Sequence, residues 1–82
     1  MDKLEFRETL AELRTDALNK FGEYLKADEE LALEGKFTQN GFIDKRFFDN
    51  LEKRRREWEV ANNKYSDFAR YGGRANLFNN EN

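Results

Sequence analysis

The sequence is constrained most by the stretch 47–68, where large side chains recur at alternating steps of four and three residues. This repeat places them along one side of an α-helix, and it is typical of a helix that packs lengthwise against another helix. The repeat, called here the helix 2 seam, consists of Phe47, Leu51, Arg54, Trp58, Ala61, Tyr65 and Phe68. Four of these seven positions are aromatic and one is arginine. The pattern predicts how the chain packs, but it does not indicate an activity.

A second long helix is predicted before this seam. Asp2, with Glu5 three residues later, matches a capping-box pattern, and about thirty residues rich in good helix formers follow. We expect helix 1 to span about 2–34 and to end at Gly35, which can adopt the left-handed conformation that terminates helices. A helix of about 30 residues is about 45 Å long and needs a partner along its length.

Helix 1 carries two apolar stripes. The first includes the positions expected to face helix 2, namely Leu10, Leu13, Ala17, Phe21 and Tyr24. The second stripe, one residue later and so rotated by about 100°, comprises Ala11, Thr15, Leu18, Gly22, Leu25 and Ala32. A two-helix hairpin needs only one stripe, so the second predicts an interface with another chain. Gly22 fits a notch for close helix approach, and the alternatives are a tolerated glycine or a slight kink of the helix there.

The turn between the helices is predicted at 35–41. Thr38 is one candidate N-cap for helix 2, with Phe37 and Phe42 forming a hydrophobic staple around it. A later start near Asp44 competes with it. Either alternative leaves a short link, and short links favour antiparallel helices.

Helix 2 is expected over about 41–71, ending at two consecutive glycines. The remaining residues form a C-terminal arm, 72–82, that is polar apart from Leu77 and Phe78. One interpretation is a frayed tail. The other is an arm whose Leu77 and Phe78 dock in a groove of this subunit or of a neighbour.

These elements predict an all-α fold in a single domain over 1–82: an antiparallel hairpin of two long helices that self-associates into a helix bundle. The chain has no proline to interrupt it. If the turn centres near residues 37–38, Ala17 faces Trp58 and Arg54 lies opposite Phe21. Residues 1–35 hold ten acidic and five basic side chains, whereas 36–74 hold six acidic and ten basic. The two helices therefore complement each other in charge, and two hairpins would bury the apolar surface that one leaves exposed.

The composition offers little for catalysis. The chain has neither histidine nor cysteine, which removes the commonest general base, the commonest metal ligand and any disulfide. The acidic cluster of Asp28, Glu29, Glu30 and Glu34 lacks the spacing of a calcium loop and is interpreted as a solvated face. We expect no enzyme activity, no catalytic residue, no metal site and no cofactor.

The run Lys53–Arg56 suggests nucleic-acid binding, since clustered cations release counterions from phosphate. Four consecutive residues, however, spread over about 300° of a helix, and glutamates flank the run. The candidate contacts with nucleic acid are Lys53, Arg55, Arg56 and Lys64.

The sequence therefore favours a non-enzymatic protein-binding or assembly protein, a small oligomer that acts as a regulator, inhibitor or scaffold through its apolar helix faces. Its expected partners are a second copy and another protein, with no membrane. The alternative is a nucleic-acid-binding hairpin dimer that uses the basic helix 2. No apolar run spans a membrane and the first residues lack the apolar core of a signal peptide, so a cytoplasmic location is expected.

Overall fold

The computed structural model describes residues 2–38 and 41–72, and within them the chain is all-helical, without strands. Helix α1 runs over Lys3–Phe37 and helix α2 over Lys45–Asp67, followed by a π-helical turn over Phe68–Gly72. The two helices are antiparallel, because Phe6 near the start of α1 stacks on Phe68 with ring centroids 5.1 Å apart. The predicted packing of two long helices is confirmed, whereas association with a second copy stays a prediction.

Helix α1 begins where the sequence predicts. The Asp2 side chain accepts a hydrogen bond from the Glu5 backbone N–H at 2.8 Å, which confirms Asp2 as the N-cap. From Lys3 the helix continues without a break, including past Asp28. The expected end at Gly35 is wrong, because α1 runs on to Phe37.

Gly35 does not end the helix; its role is in packing. A Cβ atom at this position would lie 3.1 Å from Ile43 Cδ1, so the missing side chain leaves room for Ile43 as the chain returns. Thr38 then ends the helix: its backbone N–H and its Oγ1 hydroxyl both donate to the Glu34 carbonyl oxygen, at 3.0 and 2.6 Å. Among the described residues, the left-handed backbone occurs instead at Gly41, with φ of 76°.

Helix α2 starts four residues later than the expected boundary at 41. Asp44 is its N-cap and accepts a hydrogen bond from the Arg46 backbone N–H at 2.9 Å. Thr38 as N-cap is therefore wrong, and the competing start is the one found. The proposed staple is wrong as well, since Phe37 and Phe42 are among the most exposed side chains of the described chain. The π-helical turn carries the helical backbone to Gly72, and the rest of the expected arm, with Leu77 and Phe78, lies outside the described residues.

The core is a single thin layer between the helices. Every position of both predicted seams is buried or half-buried. Yet the buried residues of the described chain are three alanines, Ala17, Ala27 and Ala61, which are 4–5% exposed. The radius of gyration of 18.4 Å exceeds the value of about 12 Å for a compact domain of this length, so the hairpin is an elongated rod.

An aromatic cluster fixes the register at the middle of this layer. The Trp58 ring stacks on Tyr24 at 5.9 Å and meets Phe21 at 5.0 Å between centroids. Arg54, which is expected opposite Phe21, binds Glu23, two residues further along α1.

Candidate partner-binding surface

One side of the hairpin is closed at its middle by a chain of ion pairs, beside a depression of about 340 Å³ that Lys20, Glu57 and Val60 line. Arg54 Nη1 lies 3.3 Å from Glu23 Oε2 on α1 and 3.5 Å from Glu57 Oε2 on its own helix. Glu57 in turn lies 3.9 Å from Lys20 Nζ. In one cross-helix pair α1 supplies the acid, and in the other α1 supplies the base. The ion pairs therefore depend on individual side chains and do not simply join an acidic helix to a basic one.

The other side of the hairpin opens as an apolar groove. Leu18 lines this groove, and Lys20 takes part in the ion pairs. The two side chains point to nearly opposite sides of α1, because two residues correspond to a rotation of about 200°. The groove encloses about 250 Å³ and is lined by Arg14, Ala17, Leu18, Phe21, Trp58, Asn62 and Tyr65. A groove floored by aromatic rings and edged by a few polar groups is typical of surfaces that receive apolar side chains.

The second stripe of α1 continues outward from this groove. Ala11, Thr15 and Gly22 are exposed, and Leu18 and Leu25 are 58% and 49% exposed. A Cβ atom built at Gly22 would meet no atom within 4 Å. Packing against α2 therefore gives no reason for glycine at this position, and the helix there is unbroken.

Other exposed apolar residues were missed by the sequence analysis. Leu4 and Leu33 are 65% and 48% exposed. Leu4 precedes Ala11 by one seven-residue period, so extending the repeat would have found it, whereas Leu33 follows Ala32 directly and lies outside the repeat. Phe48 and Val60 on α2 are also about half exposed and lie outside the helix 2 seam. Phe48, beside the seam residue Phe47, is expected from the sequence to leave apolar surface uncovered, whereas nothing in the sequence indicates Val60.

The basic run on α2 is divided around the helix. Arg54 takes part in the interhelical ion pairs. Arg55 binds Glu52 at 2.7 Å and Glu59 at 3.3 Å, and Arg56 Nε lies 3.1 Å from Glu52. Three of the four side chains in Lys53–Arg56 are thus paired within the chain, although the Arg56 side chain remains 74% exposed.

These pairs account for the pKa shifts among the described residues. The hydrogen bond from the Arg55 guanidinium holds the pKa of Glu52 below its ordinary value, and Glu52 raises the pKa of Arg55. The Asp44 pKa is lowered in the same way, by the hydrogen bond from the Arg46 side chain. Each shift belongs to an exposed ion pair, whereas a carboxyl prepared for acid–base chemistry has its pKa raised by burial.

Within the described chain, no group of three or more acidic residues is placed to hold a metal ion. Asp28, Glu29 and Glu30 are exposed, and Glu34 is half-buried. Neither described helix is long and apolar enough to cross a membrane.

Comparison with protein-family models, curated proteins and solved structures finds no match to this chain. Function must therefore be argued from the residues and their arrangement.

Proposed function

We propose that this chain is a non-enzymatic protein-binding protein, a small helical assembly element that regulates, inhibits or scaffolds its partner. The observation that carries the proposal is the exposure of Leu18 and Leu25 beside an open groove floored by Trp58 and Phe21. Contiguous apolar surface of this kind, rimmed by polar residues, marks protein interaction sites.

The thin core supports the same conclusion. A hairpin whose buried residues, within the described chain, are alanines obtains little stabilisation from burial, at about 25 cal/mol per Å² of apolar surface. Small domains commonly offset such a deficit by association. Covering the second stripe would add the apolar burial that the hairpin lacks.

The proposal is tested by affinity capture with a tagged chain, supplying an untagged copy of the same chain among the candidate partners. We expect Leu18→Asp to abolish capture, because it places a charge in the centre of the apolar face. Asn63→Asp adds the same charge at an exposed position of α2 outside the groove, and it should leave capture intact. Equal capture by the wild-type chain and Leu18→Asp would contradict the proposal.

A nucleic-acid-binding role is the alternative, and one observation favours it. Lys53 and Lys64 are exposed and lie three helical turns apart, so they share a face of α2 with Arg56 nearby. Binding through this face would weaken steeply with salt, in proportion to the phosphates contacted. Retention of nucleic acid that is lost on Lys53→Glu with Lys64→Glu, but unaffected by Leu18→Asp, would favour this alternative.

A further inference from the structure

The exposed face of α1 has the sequence of a helix–helix interface along its whole length. Positions repeat at steps of four and three from Leu4 to Ala32, which is the spacing of a coiled-coil seam. One set recurs every seven residues and contains Leu4, Ala11, Leu18, Leu25 and Ala32. The other set contains Glu8, Thr15, Gly22 and Glu29. The helix α2 is packed on a different face, so this seam has no partner within the described hairpin.

We propose that the partner of this face is a second copy of the chain, with the two α1 helices antiparallel and Leu18 packed on the partner's Gly22. This inference rests on the proposed protein-binding function and names its partner. The register makes Leu25 oppose the partner's Thr15, so each large side chain of the centre meets a small one. The register also explains why position 22 is glycine, because the missing Cβ lets the facing leucine approach the backbone.

Charges along both edges of the seam support this register. On one edge, Glu12 lies opposite the partner's Lys26, and on the other, Arg14 lies opposite the partner's Asp28. Two-fold symmetry makes each of these pairs twice. Within the described residues, none of these four side chains takes part in an ion pair of its own hairpin, whereas Lys20 and Glu23 on the inner face do.

The groove belongs to the same interface. Phe21, which meets Trp58 at 5.0 Å, lies on the Arg14 edge of the seam and close to the two-fold axis. In the dimer it lies next to the partner's Phe21. Apolar contact at the axis therefore extends from the seam towards the groove.

A parallel dimer of the same face is much less favourable. It would place Glu8 against the partner's Glu8 and Glu29 against the partner's Glu29 within the seam, and like charges facing each other are destabilising. It would also set Gly22 against the partner's Gly22, leaving a void at the centre. In the antiparallel register the two glutamates oppose alanines in the outer layers, where their carboxylates reach water.

The orientation can be measured because the chain contains no cysteine, so a single introduced cysteine carries a spin label at one known place. Asn19 lies near the two-fold axis, and Leu33 lies on the same edge fourteen residues away. We expect Asn19→Cys labels to be in close contact and Leu33→Cys labels to be separated by about 42 Å, from a rise of about 1.5 Å per residue. The measurement is electron–electron double resonance on the full chain.

A parallel dimer would instead give equally short distances at both positions, which would overturn the register while leaving protein binding intact. Absence of any dipolar coupling in a sample that light scattering shows to be monomeric would overturn the second copy as partner. The proposed function fails separately, when Leu18→Asp leaves capture of every protein unchanged.

A charge exchange tests the edge contacts. Arg14→Asp loses two ion pairs and creates two repulsions, and we expect it to raise the dimer dissociation constant about tenfold. Adding Asp28→Arg to the same chain should restore the wild-type constant, because the exchanged charges meet again across the antiparallel interface. The two positions are about 21 Å apart within one helix, so they cannot restore each other within one chain, and failure of the double variant to recover would contradict the register.

Discussion

At the scale of single residues, the helix boundaries depend on a few short polar side chains. Thr38 and Asp44 are both chemically able to cap helix 2, and the structure uses them for different helix ends. Thr38 donates to the Glu34 carbonyl and ends α1, while Asp44 accepts from Arg46 and starts α2. The difference follows from the extra turn of α1, which places Thr38 over the unpaired carbonyls of that helix.

The cap at Asp44 predicts a pH dependence. Its pKa is lowered from the ordinary value of 3.8, mainly by the Arg46 side-chain hydrogen bond. A lowered pKa means that the cap stabilises the folded state above pH 3.8 and that this contribution is lost as the pH falls through the folded-state value. We therefore expect the first turn of α2 to lose helical backbone chemical shifts in acid, as followed by NMR.

Asp44→Asn is the matched control for this titration. Asparagine caps helices as well as aspartate does and does not titrate. The variant should keep the start of α2 at neutral pH and should abolish its pH dependence in this range. An identical acid transition in both chains would show that another carboxyl is responsible.

At the scale of the helices, the aromatic cluster packs the middle of α1 against α2. Trp58 contacts both Phe21 and Tyr24 but remains half-buried. We expect Trp58→Ala to lower the free energy of unfolding by about 2–3 kcal/mol, less than the 3–5 kcal/mol typical of a fully buried ring. Val60→Ala, at an exposed position on the same helix, should cost less than about 0.5 kcal/mol. Chemical denaturation measures both, and equal costs would show that the cluster does not hold the hairpin together.

Substitution of Gly22 gives a second prediction at this scale: the hairpin should become more stable and the dimer weaker. Since a Cβ there meets nothing within 4 Å, Gly22→Ala should stabilise the isolated helix by about 1 kcal/mol. The added methyl should at the same time weaken the dimer, because it occupies the space proposed for the facing Leu18. Denaturation at low concentration and a dissociation constant measured by sedimentation separate the two effects. Stabilisation without any loss of dimer affinity would place the interface elsewhere.

Periodicity predicted the helices well and their ends poorly. The seam positions follow from side-chain spacing alone, because 3.6 residues per turn fixes which residues share a face. The end at Gly35 could not be predicted, because Gly35 is present to make room for Ile43, which is a tertiary contact. The partners of Arg54 were predicted only approximately for the same reason, since a shift of two residues along α1 changes which side chains the guanidinium reaches.

The candidate surface could be predicted from the sequence, and the reason is the number of apolar faces on α1. A helix that packs on one neighbour needs one apolar face, and α1 has two. The second stripe was therefore recognisable as unused, and Leu18 and Leu25 are exposed in the structure. The partner that covers the second stripe does not follow from the apolar positions, because apolar contact specifies no partner. The charged residues along the edges of the stripe are the basis for proposing a second copy.

At the scale of the whole molecule, the hairpin has two unlike sides. Ion pairs through Arg54 and Glu57 close one, and the other combines the groove with the second stripe. A rod of this shape with a single thin core layer buries little apolar surface by itself, so association would add to its stability. We therefore expect the midpoint of thermal unfolding to rise with protein concentration, as mass action requires when the folded chain associates.

The measurement that tests this account most directly is the solution mass by light scattering, over a wide range of concentration and at low and high salt. We expect the mass to rise with concentration to twice the chain mass of 9.8 kDa, with tighter association at low salt because salt screens the edge ion pairs. Added nucleic acid should not change it, and Leu18→Asp should revert to a single chain. A single-chain mass for the wild type at every concentration, or a dimer that Leu18→Asp does not disturb, would contradict the account.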